Sequence, residues 1–96
     1  MALWKGSRMD SLYYDGEADV GIECQVKIDN DSIVVSYESD DGWVNYSGKN
    51  DKSGHFELHA DRYDGHASLH MFPGSTVLEG YWVEQGTRGM WRIVLA

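Results

Sequence analysis

Residues 76–95 read TVLEGYWVEQGTRGMWRIVL. Two apolar, β-prone arms flank a polar turn that carries Gly86 and Gly89, the pattern of a β-hairpin. Trp82 and Trp91 fall in its two arms, and period-2 alternation turns both toward one face, paired over Gly80. The opposite face then shows Val77, Glu79, Tyr81 and Val83 against Met90, Arg92 and Val94, with Tyr81 across from Arg92. An apolar patch holding one aromatic and one arginine resembles the core of an interface, so homo-oligomer contact is expected through Val77, Tyr81, Val83, Met90, Arg92 and Val94. The plainer reading is a Tyr–Arg stack on a monomer, worth roughly 0.5–1 kcal/mol.

A hairpin with an apolar face needs further strands to cover it, and the preceding residues supply them. Ala2–Arg8 reads as a first strand with a bulge at Gly6, whereas residues 9–16 fit a turn, a short helix or a strand extension equally well. Val20, Ile22, Cys24, Val26 and Ile28 alternate with smaller or polar residues, which marks a strand with one wet face. After the turn Asp29-Asn30-Asp31, a third strand turns Ile33, Val35 and Tyr37 inward. Trp43–Lys49 and His55–Ala60 make a fourth and a fifth, and His66–Phe72 a sixth. No window carries a 3.6-residue apolar stripe, so almost no helix is expected. Seven or eight short strands joined by short turns form an antiparallel up-and-down meander, and closing it into a barrel removes the exposed edges. Closure pairs the strand of Trp4 with that of Trp91. The chain is one all-β domain over residues 1–96, of a size that buries about 60–70% of its unfolded surface.

The formal net charge of −8 is unevenly spread: residues 10–41 hold ten acids and one base, Lys27, and residues 42–96 six acids and five bases. An acidic first half disfavours a nucleic-acid phosphate track and an anionic membrane surface. No apolar run approaches a membrane span, and the N-terminal MALWKGSRMD lacks the apolar core of a signal peptide. The single cysteine, Cys24, excludes an internal disulfide, and a cytoplasmic location is expected.

Short meandering strands, glycine-marked turns and tryptophans in the first and last strands resemble the calycin group, the lipocalin-like and avidin-like barrels. The resemblance implies small-molecule binding at the open end of a barrel. Trp4-Lys5-Gly6 reverses the Gly-x-Trp order with which lipocalins open, so no ligand-contact residue transfers. The ending LEGYWVEQGTRGMWRI is also similar to that of small bacterial proteins of unknown function.

Three sets of candidate site residues follow. A small barrel is either filled by side chains or holds one small ligand, and short strands favour the filled core. A pocket, if formed, is lined by Tyr37, Tyr46, Trp82 and Glu84, and suits a small apolar or aromatic ligand. The second set is the outer hairpin face described above. In the third, His55, Glu57 and His59 share one face of the fifth strand, and His66 and His70 share one face of the sixth. One antiparallel register sets His59 beside His66 and His55 beside His70, a face of imidazoles and a carboxylate suited to zinc, nickel or copper. A solvated polar face is the simpler account. Cys24 falls mid-strand on the inward face without a base in reach, so no catalytic residue is assigned. The acidic turns lack the spacing of an EF-hand loop. No cofactor is expected, and binding rather than turnover is the functional expectation, with a protein-interaction module as the alternative.

Overall fold

The structure, a computed structural model, describes residues 2–96. Eight antiparallel strands run in sequence order and close into a barrel: β1 Ala2–Tyr13, β2 Ala18–Ile28, β3 Ser32–Ser39, β4 Gly42–Lys49, β5 His55–Ala60, β6 Gly65–His70, β7 Val77–Glu84 and β8 Thr87–Val94. One 3₁₀ turn, Arg62–Asp64, is the only helical segment among the described residues, and no helix there is long and apolar enough to cross a membrane. Alternation places Val26, Ile33, Val35, Val44, Leu58, Leu69, Leu78 and Ile93 in the interior with no measurable exposure.

The uninterpreted stretch 9–16 is largely strand. β1 continues to Tyr13, turns Ser7, Met9 and Ser11 inward, and pairs with β8 from Arg8↔Val94 to Tyr13↔Gly89, which closes the barrel through the strands of Trp4 and Trp91. The register on β2 shifts between Trp4 and Ser7, around Gly6, as the bulge expectation requires. There the Gly6 amide donates to the Ala96 carbonyl, and the Ala96 amide to Ser7 Oγ, so the last residue is tied to the bulge.

A second bulge overturns one assignment. Val20, expected inside, is 75% exposed. Gly21 adopts φ +69, a left-handed conformation that glycine takes without the Cβ penalty, and its amide donates to Asp10 Oδ1 at 2.9 Å. The register slips between Met9 and Ser11, and the face on which Val20 would have been buried rotates outward. The sixth strand also ends earlier than expected, at His70, ahead of Pro73, leaving Phe72 exposed.

The closing hairpin forms where expected but in a different register. Gln85 (φ +49) and Gly86 (φ +85) make a two-residue turn with both central residues left-handed, the geometry that matches strand twist. It fixes Glu84↔Thr87, and hence Trp82↔Gly89, Tyr81↔Met90, Gly80↔Trp91 and Glu79↔Arg92. Trp82 and Trp91 are therefore not directly opposite. Each faces a glycine, and the rings stack diagonally at 6.2 Å and 25°. A Cβ at Gly80 would run into the Ser68 carbonyl, and one at Gly89 into the Leu12 carbonyl, so both positions bring neighbouring backbone close.

Candidate functional site at the acidic mouth of the barrel

In a meander, alternate connections share an end. Those after β1, β3, β5 and β7 surround one mouth, and toward it point the last inward residues of their strands: Tyr13, Tyr37 and Glu84. Tyr37 donates its phenol proton to Glu84 Oε2 at 3.0 Å, and Tyr46, fully buried one strand away, donates to the same oxygen. Burial, and next the Glu84 carboxylate, push both phenols well above the ordinary tyrosine range, so both remain donors. Glu84 Oε1 has no hydrogen-bond partner among the described residues, and Glu84 forms no salt bridge there.

Room for this arrangement comes from a glycine. A Cβ at Gly65 would collide with the Tyr46 hydroxyl, so the first residue of β6 must be small for Tyr46 to reach Glu84. The aromatic rings form a continuous arc. Tyr13 meets Trp82 edge-on at 5.3 Å, Trp82 stacks on Trp91, Trp91 meets Tyr46 at 4.9 Å, and Tyr46 stacks on Tyr37 at 6.5 Å.

Inside this arc lies a cleft of about 70 Å³. Its walls are Tyr13, Tyr37, Trp82, Trp91 and Glu84, and Met9, Ser11 and Ile22 complete them. It shares Tyr13, Trp82 and Glu84 with an outer depression of about 240 Å³ reaching Tyr63, Gln85 and Thr87. Trp82 is 3% exposed, and its indole Nε1 is a buried side-chain donor without a partner among the described residues. An orphaned buried donor of this kind costs about 1–3 kcal/mol unless water or a ligand meets it. Tyr63, at the outer rim, holds φ +60 and ψ +17, a strained conformation for an aromatic residue, with its hydroxyl on Asp41 at 3.0 Å.

Of the four residues assigned to a pocket from the sequence, Tyr37, Trp82 and Glu84 line this cleft, and Tyr46 lies outside its lining, bonded to Glu84. The interior is neither wholly filled nor hollow: a packed core is capped by a small cleft at one end. Tyr13, Ser11 and Trp91 belong to the same cleft, and the sequence reading missed Ser11 and Tyr13 because it did not resolve residues 9–16 as strand.

The histidine face has the expected register, His55↔His70 and His59↔His66. His55 Nδ1 lies 2.7 Å from His70 Nε2, and His55 Nε2 lies 2.8 Å from Glu57 Oε1; the His59 and His66 rings stand 4.3 Å apart. Ser68 donates to both Glu57 oxygens at 2.5 and 2.6 Å, which, ahead of His55, lowers the Glu57 carboxyl below its usual range. Four residues of strand separate His55 from His59 by roughly 13 Å, so the histidines form two separate pairs. Among the described residues no three His, Cys, Asp or Glu side chains gather in a metal-holding arrangement. Ser68 bonds to the carboxylate rather than to an imidazole, which is the wrong order for a serine nucleophile activated by histidine.

On the outer hairpin face, Tyr81 lies across from Met90 rather than Arg92, and Arg92 pairs with Glu79 at 3.7 Å. Val77 faces Val94, and Val83 faces Arg88. Leu12, opposite Met90 on β1, extends the apolar strip beyond the hairpin, with Leu12, Tyr81 and Met90 each about half exposed. Comparison with protein-family models, with curated proteins and with solved structures found no match for this chain.

Proposed function

We propose that this barrel is a non-enzymatic binding protein that takes a small molecule into the cleft at its acidic mouth. The eight-stranded closed meander is compatible with a calycin-like barrel, whose members bind ligands at the open end. The observation that carries the reading is the buried, unpartnered indole N–H of Trp82, a residue that lines the cleft together with Glu84. Convergent polar groups in a mostly aromatic recess are the ordinary composition of a ligand site. Titration of a panel of small polar, cationic and aromatic fragments, followed by the Trp82 indole N–H resonance and by tryptophan fluorescence, tests it. At least one fragment is expected to move the Trp82 signal saturably, and Trp82→Phe to weaken that fragment's binding several-fold. A panel that leaves every cleft resonance unmoved sinks the reading.

A second reading, a homo-oligomerisation module, is favoured by one observation. Tyr81, Met90 and Leu12 form a contiguous exposed apolar strip across β7, β8 and β1, flanked by Arg88 and Arg92 on an otherwise acidic chain. The two readings use different faces and are compatible.

A further inference from the structure

The chemistry of the mouth cleft also selects among ligands. We infer that it recognises a small organic cation, an ammonium head group carrying a nearby oxygen, with the charge against Glu84 and the aromatic rings. This rests on the cleft being the binding site.

Four observations lead there. Glu84 is a half-buried carboxylate that accepts two phenol protons on one oxygen and has no cationic partner, since it forms no salt bridge among the described residues and no Lys, Arg or His lines the cleft. A half-buried carboxylate with no cation beside it leaves the cleft without a countercharge, which a bound cation supplies. The rings of Tyr13, Tyr37, Trp82 and Trp91 line the same space, and aromatic faces attract cations, most of all when water is excluded. Three of the four loops at this end carry acids, namely Asp15 and Glu17, Asp40 and Asp41, Asp61 and Asp64, against Arg62 alone within them. A concave site ringed by one sign of charge concentrates the opposite ion and repels anions. The fourth observation is independent of charge: the Trp82 N–H is a buried donor and needs an acceptor, which an ammonium lacks and a neighbouring hydroxyl or ether oxygen supplies. Size agrees. A water needs roughly 10–15 Å³ of such space, so about 70 Å³ holds a head group of a few heavy atoms, with the remainder of the molecule in the outer depression.

Pairs of probes matched in shape and differing in charge test this. Choline is set against 3,3-dimethylbutan-1-ol, and ethanolamine against ethylene glycol, each titrated into the full chain at low ionic strength while the Trp82 indole N–H resonance is followed. At least one cation is expected to bind ten-fold or more tightly than its neutral partner, to weaken as salt is raised, and to lose that preference in Glu84→Gln. Because Glu84→Gln also leaves two phenols a weaker, uncharged acceptor, Gly65→Ala serves as a second variant: it displaces Tyr46 and loses its bond to Glu84 but keeps the carboxylate charge, and should lower affinity while keeping the preference for charge. Neutral probes that move the cleft resonances as strongly as the cations overturn the inference and leave the binding site standing. If neither these probes nor the fragment panel moves them, the inference and the binding reading fall together.

Discussion

At the scale of single residues, burial decides which reactive groups are available. Cys24 is 2% exposed, and burial pushes its thiol up to about 11, with the Arg8 charge opposing only weakly. At pH 8 the thiolate is then roughly one part in a thousand, and the reagent has no path to it. The folded protein is expected to leave a disulfide reagent such as DTNB unconsumed at pH 8 over many minutes, and to react with one equivalent after unfolding in guanidinium. Rapid stoichiometric labelling of the native protein would contradict this account of the core. Although Ser11 and Tyr13 escaped it, the same inward alternation that identifies Cys24 as a core residue identifies Tyr37, Tyr46 and Trp82 as interior, which is why part of the site was legible residue by residue. The Tyr46–Glu84 contact was not, because it depends on the absent side chain of Gly65, and nothing in sequence spacing relates residues on β4, β6 and β7.

Turns and bulges set the register of each element, and here local chemistry has a measurable pH signature. Asp29 opens the β2–β3 turn: its Oδ1 accepts from the Asp31 amide at 3.0 Å, from the Ser32 amide at 2.8 Å and from the Ser32 hydroxyl at 3.0 Å. These bonds, the Asp31 amide first, hold the carboxyl below its ordinary value of 3.8. A depressed folded-state pKa stabilises fully above the unfolded value and is lost as pH falls through the folded one. Asp29→Ala is therefore expected to melt below the wild type at neutral pH, and the gap between the two melting temperatures to close as pH drops below 3.8. A gap that stays constant into acid would show that the carboxylate is not the stabilising group. Strand alternation and turn residues made most elements readable from β2 onward. The bulge at Gly6 was legible; what failed was a second bulge and one register: Val20 points outward because Gly21 breaks the alternation, and Tyr81 meets Met90 because the turn is centred on Gln85-Gly86.

For the whole molecule, closure pairs every strand on both sides, so a second copy could meet only the outer face. If the Tyr81–Met90–Leu12 strip joins two copies, light scattering should show a mass that rises with concentration in the wild type and stays monomeric in Tyr81→Glu, with both retaining the β-sheet signal in circular dichroism. Concentration-independent monomers in both would refute that contact. The barrel class was readable because every seam but one joins neighbours in sequence, each announced by its own turn. The remaining seam, β1 with β8, pairs Arg8 with Val94, nearly the full length of the chain apart. That separation gives the fold an order in time. Seven hairpin seams can form by short loop closures, whereas the eighth must wait for a sheet already curved enough to bring its ends together. Until it does, the chain exposes two unpaired edges, one carrying Leu12 and the other Met90, to any second chain in the same condition. Pairing of β1 with β8, with the ties from Ala96 to Gly6 and Ser7 beside it, removes both edges at once.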